Sequence, residues 1–465
     1  HDIVTVDEIR RLTGQEIETM VCRDTDLAQA ITQYYTTQVT TETNPEEEVS
    51  LEEPDITTLE PDITDEGSTE LDMAPRKLEE AASEAPVVRW VNQMLMRAVR
   101  ERASDIHVEP SRDGLTVRYR IDGILQPIAA PKKIMQIGVV SRIKIVARLN
   151  IAEKRVPQDG RYGALIDGRE IDFRVSTFPT TYGETVVMRI LDRLRLLSLN
   201  ELGFAKNDLD LTKAMVAKPH GVIIVVSPTG SGKTTTLYAI LNEIRGSEKN
   251  IISIEDPVEY DMDSISQSQV NLRAGYTYLV GLRHILRQDP DVIMIGEVRD
   301  GETAGVAIRA ALTGQLVFTT LHANDSPGTI TRLIDMGVEP FLVASAVEGA
   351  IAQRLVRKIC PKCKQAYSPP EKLIKDLGLS GNLKFFRGTG CSNCHNTGYL
   401  GRIGLFEVIK NNDQLRELIV SRPTTSALRN LSRTQGAHTL WEDGLEKVLA
   451  GITTIDEVMR ETEKV

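Results

Sequence analysis

The apolar run Val222-Ile223-Ile224-Val225-Val226 leads without a break into Ser227-Pro228-Thr229-Gly230-Ser231-Gly232-Lys233-Thr234. No other stretch restricts the fold as much. Five apolar residues bounded by a turn signal read as a buried strand. The glycine-rich turn can aim backbone N–H groups inward at an anion. The following Thr235-Thr236-Leu237-Tyr238-Ala239-Ile240-Leu241 reads as a helix, whose positive dipole end meets the same anion. Residues 227–235 are therefore expected to cradle nucleotide phosphates, with Lys233 reaching the β/γ-phosphates and the Thr234 hydroxyl binding Mg²⁺. The pattern G-x-x-x-x-G-K-[ST] has Gly first, where this chain has Ser227; a positive φ there would strain it.

The chain of 465 residues is long enough for about three domains. No apolar stretch approaches the ~20 residues of a membrane-spanning helix. No basic–apolar leader opens the chain, and it begins at His1 rather than Met, so the natural N-terminus is expected upstream. The net charge of −11 is uneven: residues 41–72 hold thirteen Asp/Glu and no Lys/Arg, and removing those thirteen acids leaves the remainder at +2. A near-neutral folded part gives no electrostatic footprint for nucleic acid. Of the five cysteines, Cys22 stands alone and reads as a buried apolar residue, whereas the others form two C-x-x-C pairs. That usage suits a reducing, cytosolic compartment better than a disulfide framework.

Residues 1–37 read as a fragment of a small domain, with short helices at 6–12 and 26–31. Residues 38–84 read as an acidic, disordered linker in which Glu-Pro-Asp-Ile-Thr occurs twice; an acidic docking site is the alternative. Residues 85–200 read as an α/β domain, opened by a helix to Arg100 and carrying strand-like runs from Asp105 to Ile190. Residues 201–358 alternate strand and helix, with strands at 222–226, 251–254, 292–295 and 316–320, as a mostly parallel sheet requires. Residues 359–402 hold the paired cysteines, and residues 403–465 read as helices.

Three strand ends carry candidate chemistry. Glu255-Asp256-Pro257-Val258-Glu259 places carboxylates where ligands bind in open α/β sheets, to position Mg²⁺ or water, or simply as a solvated turn. Val292-Ile293-Met294-Ile295 ends in Gly296-Glu297, and Glu297 is the candidate to orient or deprotonate an attacking water. His322 follows the fourth strand, as a phosphate sensor or a structural residue. Arg155, Arg161, Arg174 and Arg189 cluster in the preceding domain, and Arg283 and Arg287 lie four apart on one helix face. Guanidinium forks suit phosphoryl transfer, while surface ion pairing would account for any one of them. Cys360, Cys363, Cys391 and Cys394 form two C-x-x-C knuckles separated by 27 residues, the pattern of a closed, structural zinc site; a redox dithiol needs only one pair.

Taken in order, these segments resemble the ATPases of type II secretion and type IV pilus assembly. The resemblance covers residues 85–465 and rests on Ala103-Ser104-Asp105-Ile106-His107, Pro157-Gln158-Asp159-Gly160-Arg161, Asp172-Phe173-Arg174-Val175-Ser176, the phosphate loop and the two acidic strand ends. Arg283 through Asp291, the four cysteines and Gly401-Arg402-Ile403-Gly404 extend it. It implies a PAS-like domain before a RecA-like motor domain, ATP between them, and Mg²⁺ and Zn²⁺ as cofactors. It also implies a cytoplasmic homohexamer held at the inner membrane by a platform protein and a cytoplasmic docking protein. It assigns Glu255, Asp256 and Glu259 to an acidic box, Glu297 to the Walker B position and His322 to a histidine box. Arg161, Arg174, Arg283 and Arg287 become phosphate-side arginines. The zinc module points to the extension and secretion branches rather than retraction. Pilus assembly is favoured over secretion by the long linker and by Leu202-Gly203-Phe204. A hinge is expected near 196–204. Gln315 departs from the family's usual His, which puts any proton-linked role there in question. Too little of the N-terminal domain remains to support cyclic di-GMP binding. Rival readings are a nucleotide-gated scaffold with little hydrolysis and a RecA-like nucleic-acid motor; the composition weighs against the latter.

Overall fold

The computed structural model describes residues 57–59, 83, 85–192, 197–228, 230–259, 261–370, 372, 374 and 383–463. The expectations for residues 1–37, Cys22 and nearly all of the linker lie outside the described residues. Thr57–Leu59, inside the expected linker, forms a strand (β1). Its Thr-Thr-Leu sequence is the β-prone part of an acidic run.

Helix α1 (Ala85–Arg100) opens the first layer, followed by β2 (Ala103–Ser111), β3 (Gly114–Ile121) and β4 (Ile124–Ile128). Helix α2 (Gln136–Val146), β5 (Gln158–Ile166), β6 (Arg169–Thr180) and β7 (Gly183–Asp192) complete it. The sheet order is β1-β5-β6-β7-β2-β3-β4, antiparallel throughout. The strands run longer than the apolar runs that signalled them, because ladder pairing carries polar residues at both ends. Val87, Val91, Met94, Leu95, Ala98 and Val99 form the stripe of α1 that packs on the sheet, and the Tyr119 hydroxyl donates to the Met94 carbonyl at 2.6 Å. Lys144 is buried on α2 but satisfied, by Glu184 at 2.8 Å and the Glu153 carbonyl at 2.6 Å.

The second sheet is parallel-rich. Its strands are β8 (Gly221–Val226), β9 (Ile251–Glu255), β10 (Ser266–Gln269), β11 (Val292–Ile295), β12 (Leu316–Leu321), β13 (Val347–Ile359) and β16 (Tyr399–Lys410). The order is β10-β9-β11-β12-β8-β13-β16, with only the last pair antiparallel. The small hairpin of β14 (Lys364–Tyr367) and β15 (Phe385–Gly388) stands apart. Every residue of β8 is buried: Val222, Ile224 and Val226 enter one core, Ile223 and Val225 the other. That is period-two alternation in a strand covered on both faces. The covering helices are α3 (Lys206–Val216), α4 (Lys233–Ile244), α5 (Tyr278–Ile285), α6 (Gly301–Leu312), α7 (Ser326–Asp335) and α8 (Pro340–Ala346). Helices α9 (Asp413–Val420), α10 (Thr425–Thr434), α11 (Leu440–Leu449) and α12 (Ile455–Glu461) end the chain, as the C-terminal reading expects.

Besides β1 inside the expected linker, the structure departs from the sequence reading at one boundary. Strand β16 crosses the boundary drawn at 402/403, so residues 403–410 belong to the second sheet rather than to a helical subdomain. Residues 199–204, within the expected hinge segment, pack on the second sheet. Leu199 and Leu202 are buried in the second sheet's core, Phe204 stacks on Phe406 with ring centroids 3.6 Å apart, and the Gly404 amide donates to the Leu202 carbonyl. These contacts attach Leu199, Leu202 and Phe204 to the second sheet. Among the described residues no helix is long and apolar enough to cross a membrane.

Candidate functional site

The phosphate loop leaves the C-terminal end of β8 and turns directly into α4. Gly230 and Gly232 hold φ values of +80° and +87°, a region that penalises a Cβ. Ser227 is not among the positive-φ residues, so the missing first glycine costs no backbone strain. Ser227 is instead wholly buried, and its hydroxyl accepts from the Ser231 hydroxyl at 2.5 Å. The Ser231 hydroxyl also lies 2.5 Å from the Pro228 carbonyl. Thr229 lies outside the described residues. Helix α4 has no side-chain cap at Gly232, so its first N–H groups face the loop unclaimed by a side chain. Lys233 folds back over the loop, donating to the Ser227 carbonyl at 2.6 Å and the Pro228 carbonyl at 3.2 Å. Burial lowers the pKa of its ammonium; Glu297 opposes this and Arg354 adds to it. Thr234 and Thr235 are half-buried, and the Thr234 hydroxyl makes no hydrogen bond among the described residues, which leaves it available to Mg²⁺.

Sequence reasoning missed Gln353 on β13. Its amide donates to the Ser231 carbonyl at 2.9 Å and its oxygen accepts from the Thr236 hydroxyl at 2.5 Å, so one buried side chain ties the loop to the first turn of α4. The available signal was weak: Gln353 follows the apolar stretch Ala350-Ile351-Ala352 but is itself followed by Arg354.

Glu297 sits just past β11. Arg299 pairs with it through a short contact, and the His322 Nε2 stands 3.5 Å from its other oxygen. His322 itself follows β12, which lies between β11 and β8. The Thr320 hydroxyl donates to the Gly296 carbonyl at 2.7 Å and fixes the turn. Asp300 caps α6 through the Thr303 amide. Lys233, Glu297 and His322 therefore stand at the C-terminal ends of neighbouring parallel strands, where such sheets bind ligands.

The acidic box divides. The Glu255 carboxylate is buried and accepts from Tyr238 at 2.5 Å, Ser253 at 2.6 Å and Gln267 at 3.1 Å; burial pushes its pKa up. Its bond to Tyr238 ties β9 to α4. Glu259 pairs with Arg174 at 3.1 Å, and Arg174 also donates to the Val258 carbonyl at 2.8 Å. These bonds join the first sheet to the second. Arg161 reaches Gln269 at 3.4 Å. Arg161, Arg174, Arg189 and Asp256 line a cleft of about 640 Å³ between the two sheets. Arg283 and Arg287 do not join them: both are exposed, with Glu302 at 3.9 Å and His284 at 2.7 Å as their respective partners. Gln315 lies at the start of β12 beside Gly221, the opposite end of β8 from the loop. Six residues of strand put it roughly 20 Å from the phosphates.

The four cysteines converge. Cys360 follows β13, and Cys391 and Cys394 precede β16, so the antiparallel pair of the second sheet brings the knuckles together. Ligand atoms all lie within 4.8 Å of one another, with Sγ–Sγ separations of 3.8 Å for Cys360–Cys391, 3.8 Å for Cys363–Cys394 and 3.7 Å for Cys391–Cys394. Four thiolates at about 2.3 Å from one ion form a tetrahedron of edge about 3.8 Å, so the set fits zinc. Backbone amides of Cys391 and Gly398 approach the Cys394 sulfur at 3.3 Å and would temper its charge.

Comparison with known proteins matches residues 80–460 to the family described as type II/IV secretion system protein. The type II secretion system ATPase E of Vibrio cholerae is 48% identical over 388 residues, covering 83% of this chain and 77% of the relative. The type IV pilus assembly ATPase PilB of Myxococcus xanthus is 42% identical, covering 99% of this chain and 81% of the relative. Among solved structures, the pilus retraction motor PilT with bound ADP aligns with a TM-score of 0.57 at 26% identity, covering 80% of this chain and 96% of that one. With the cradle, the strand-end glutamate and the cysteine cluster in place on this α/β fold, the chain belongs to the type II/IV secretion family of ATPases.

Proposed function

We propose that the chain is a motor of this family that assembles as a homohexamer and converts ATP hydrolysis into rotation of its two halves. The carrying observation is the line of Lys233, Glu297 and His322 across strand ends, with Arg174 reaching over from the other sheet. Lys233 and the loop N–H groups bind the phosphates, Thr234 would hold Mg²⁺, and that ion would spread the charge of the transferring phosphoryl group. Glu297 orients and deprotonates the attacking water while His322 senses phosphate occupancy. Arg161 and Arg174 bring the first sheet onto the nucleotide. Arg283 and Arg287, exposed here, are suited to reach a neighbouring subunit's phosphates. Losing the γ-phosphate loosens the crosslink, and the halves rotate about a pivot upstream of the packed residues 199–204. Zn²⁺ on the four cysteines has a structural role. The motor works at the cytoplasmic face of the inner membrane, held by a platform protein and a docking protein. Pilus assembly is the favoured machine, because the alignment with the pilus ATPase extends over 99% of the chain and the secretion alignment over 83%.

Light scattering with and without a nonhydrolysable ATP analogue tests the assembly. The expected result is a nucleotide-supported hexamer in which Lys233→Ala removes the nucleotide's effect. A monomer under every condition would defeat the ring reading.

A further inference from the structure

Helix α5 delivers one polar group to the end of β11. Its buried residues are Gly281, Leu282 and Ile285, and Tyr278 lies one turn earlier on the same face. Gly281 leaves no room for a Cβ against the Ile254 side chain, so the helix lies close against β9. Thr277 caps the helix, its hydroxyl accepting from the Val280 amide at 3.3 Å, which fixes Tyr278 as the first helical residue. The Tyr278 ring packs on the core of the second sheet. Its hydroxyl ends at the turn after β11: a Cβ on Gly296 would stand 3.1 Å from that oxygen. Glu297 is the next residue. Among the described residues the Tyr278 hydroxyl has no hydrogen-bond partner.

That hydroxyl is a donor set among carboxylates. Burial first, then the charges of Glu297 and Asp256, push the phenol's pKa up, with Arg299 opposing, so the group keeps its proton. In this conformation Glu297 is paired with Arg299. A guanidinium favours the charged form of a carboxylate and so lowers its proton affinity. A neutral phenol orients the same carboxylate at less cost to its basicity. Hydrogen bonds between catalytic groups often close only when substrate is bound. We propose that Tyr278 is a positioning residue for Glu297: with ATP bound, its hydroxyl donates to the Glu297 carboxylate and holds it toward the attacking water. The inference rests on the reading that Glu297 orients and deprotonates that water. The water oxygen bonds the γ-phosphorus as the bond to the leaving diphosphate oxygen breaks. The water's proton passes to Glu297, and the phenol keeps its own. Tyr278 acts through Glu297 and not on the nucleotide, so it sets the rate and leaves the affinity alone.

The full chain is assayed for Mg²⁺-ATP turnover and for ATP affinity, comparing the wild type with Tyr278→Phe, Tyr278→Leu and Glu297→Gln, each also melted thermally. Tyr278→Phe keeps the ring and removes only the hydroxyl. Its kcat is expected to fall about tenfold, the scale of one hydrogen bond to a charged group, with the ATP Kd and the melting midpoint unchanged. Tyr278→Leu gives up the ring as well and should lower the midpoint too, which separates packing from the hydroxyl. A kcat within twofold of wild type in Tyr278→Phe overturns the proposal. A lower kcat joined by weaker ATP binding and a lower midpoint in Tyr278→Phe also overturns it, because a purely structural residue behaves that way. A wild-type chain without turnover, or turnover that survives Glu297→Gln, would instead bring down the underlying reading of Glu297, and this inference with it.

Discussion

Replacing Gln353 by Met isolates the bond between β13 and the phosphate loop. The two side chains are nearly isosteric, so the change creates little cavity but leaves the Ser231 carbonyl and the Thr236 hydroxyl without their partner. Each buried hydrogen bond contributes about 1 kcal/mol. Losing two therefore shifts the balance between ordered and open loop by about 2 kcal/mol, roughly 30-fold. Apparent nucleotide affinity falls with the competent fraction. The ATP Kd should rise between about threefold and 30-fold, least where the wild-type loop is most firmly ordered. Anisotropy of a fluorescent ATP analogue reads the affinity, and a thermal melt reads the stability. Gln353→Glu should do at least as much damage, since it sets a carboxylate oxygen against the Ser231 carbonyl. A Kd within twofold of wild type and an unchanged melting midpoint in Gln353→Met would refute the reasoning.

Two further outcomes are expected. The purified chain should carry one zinc by elemental analysis, and Cys394→Ser should lose it and lower the melting midpoint. That cost should stay well below the roughly 10–16 kcal/mol of isolated zinc fingers, because β13 and β16 hold the cluster's two ends without metal. Asp208, buried at the start of α3, has its pKa raised to about 6 by burial and by the charge of Asp443. A folded pKa above the unfolded one means the folded state binds protons more tightly, so stability falls as pH rises from about 4 through about 6. Asp208→Asn should therefore stabilise at pH 8, by an amount of order 2 kcal/mol, and the gain should shrink on acidification through that window. A gain that is flat with pH would contradict this.

The phosphate loop was legible in the sequence because its whole signal is local: strand, turn and helix lie within about twenty residues. The cysteine knuckles were legible for the same reason. Gln353 was not, since it lies 122 residues from its partner Ser231 and its strand pairs with β16 across the cysteine segment. Strands β13 and β16 carry Glu, Gln and Arg among their apolar residues, so neither run read as strand. Glu255 stands at a strand end, and alternation decides where its side chain points. Ile252 and Ile254 enter one core, so Ser253 and Glu255 face the other way, toward Tyr238 on α4. That Arg161, Arg174 and Arg189 share one cleft depends on sheet register, which one sequence does not state.

The central claim is that Glu297 carries out hydrolysis at this cradle. Mg²⁺-dependent ATP turnover of the purified chain, measured beside Glu297→Gln with nucleotide affinity determined on both, tests it most directly. The account predicts turnover in the wild type, a loss of at least about 100-fold in the variant, and ATP binding retained in both. Turnover that survives Glu297→Gln would contradict it.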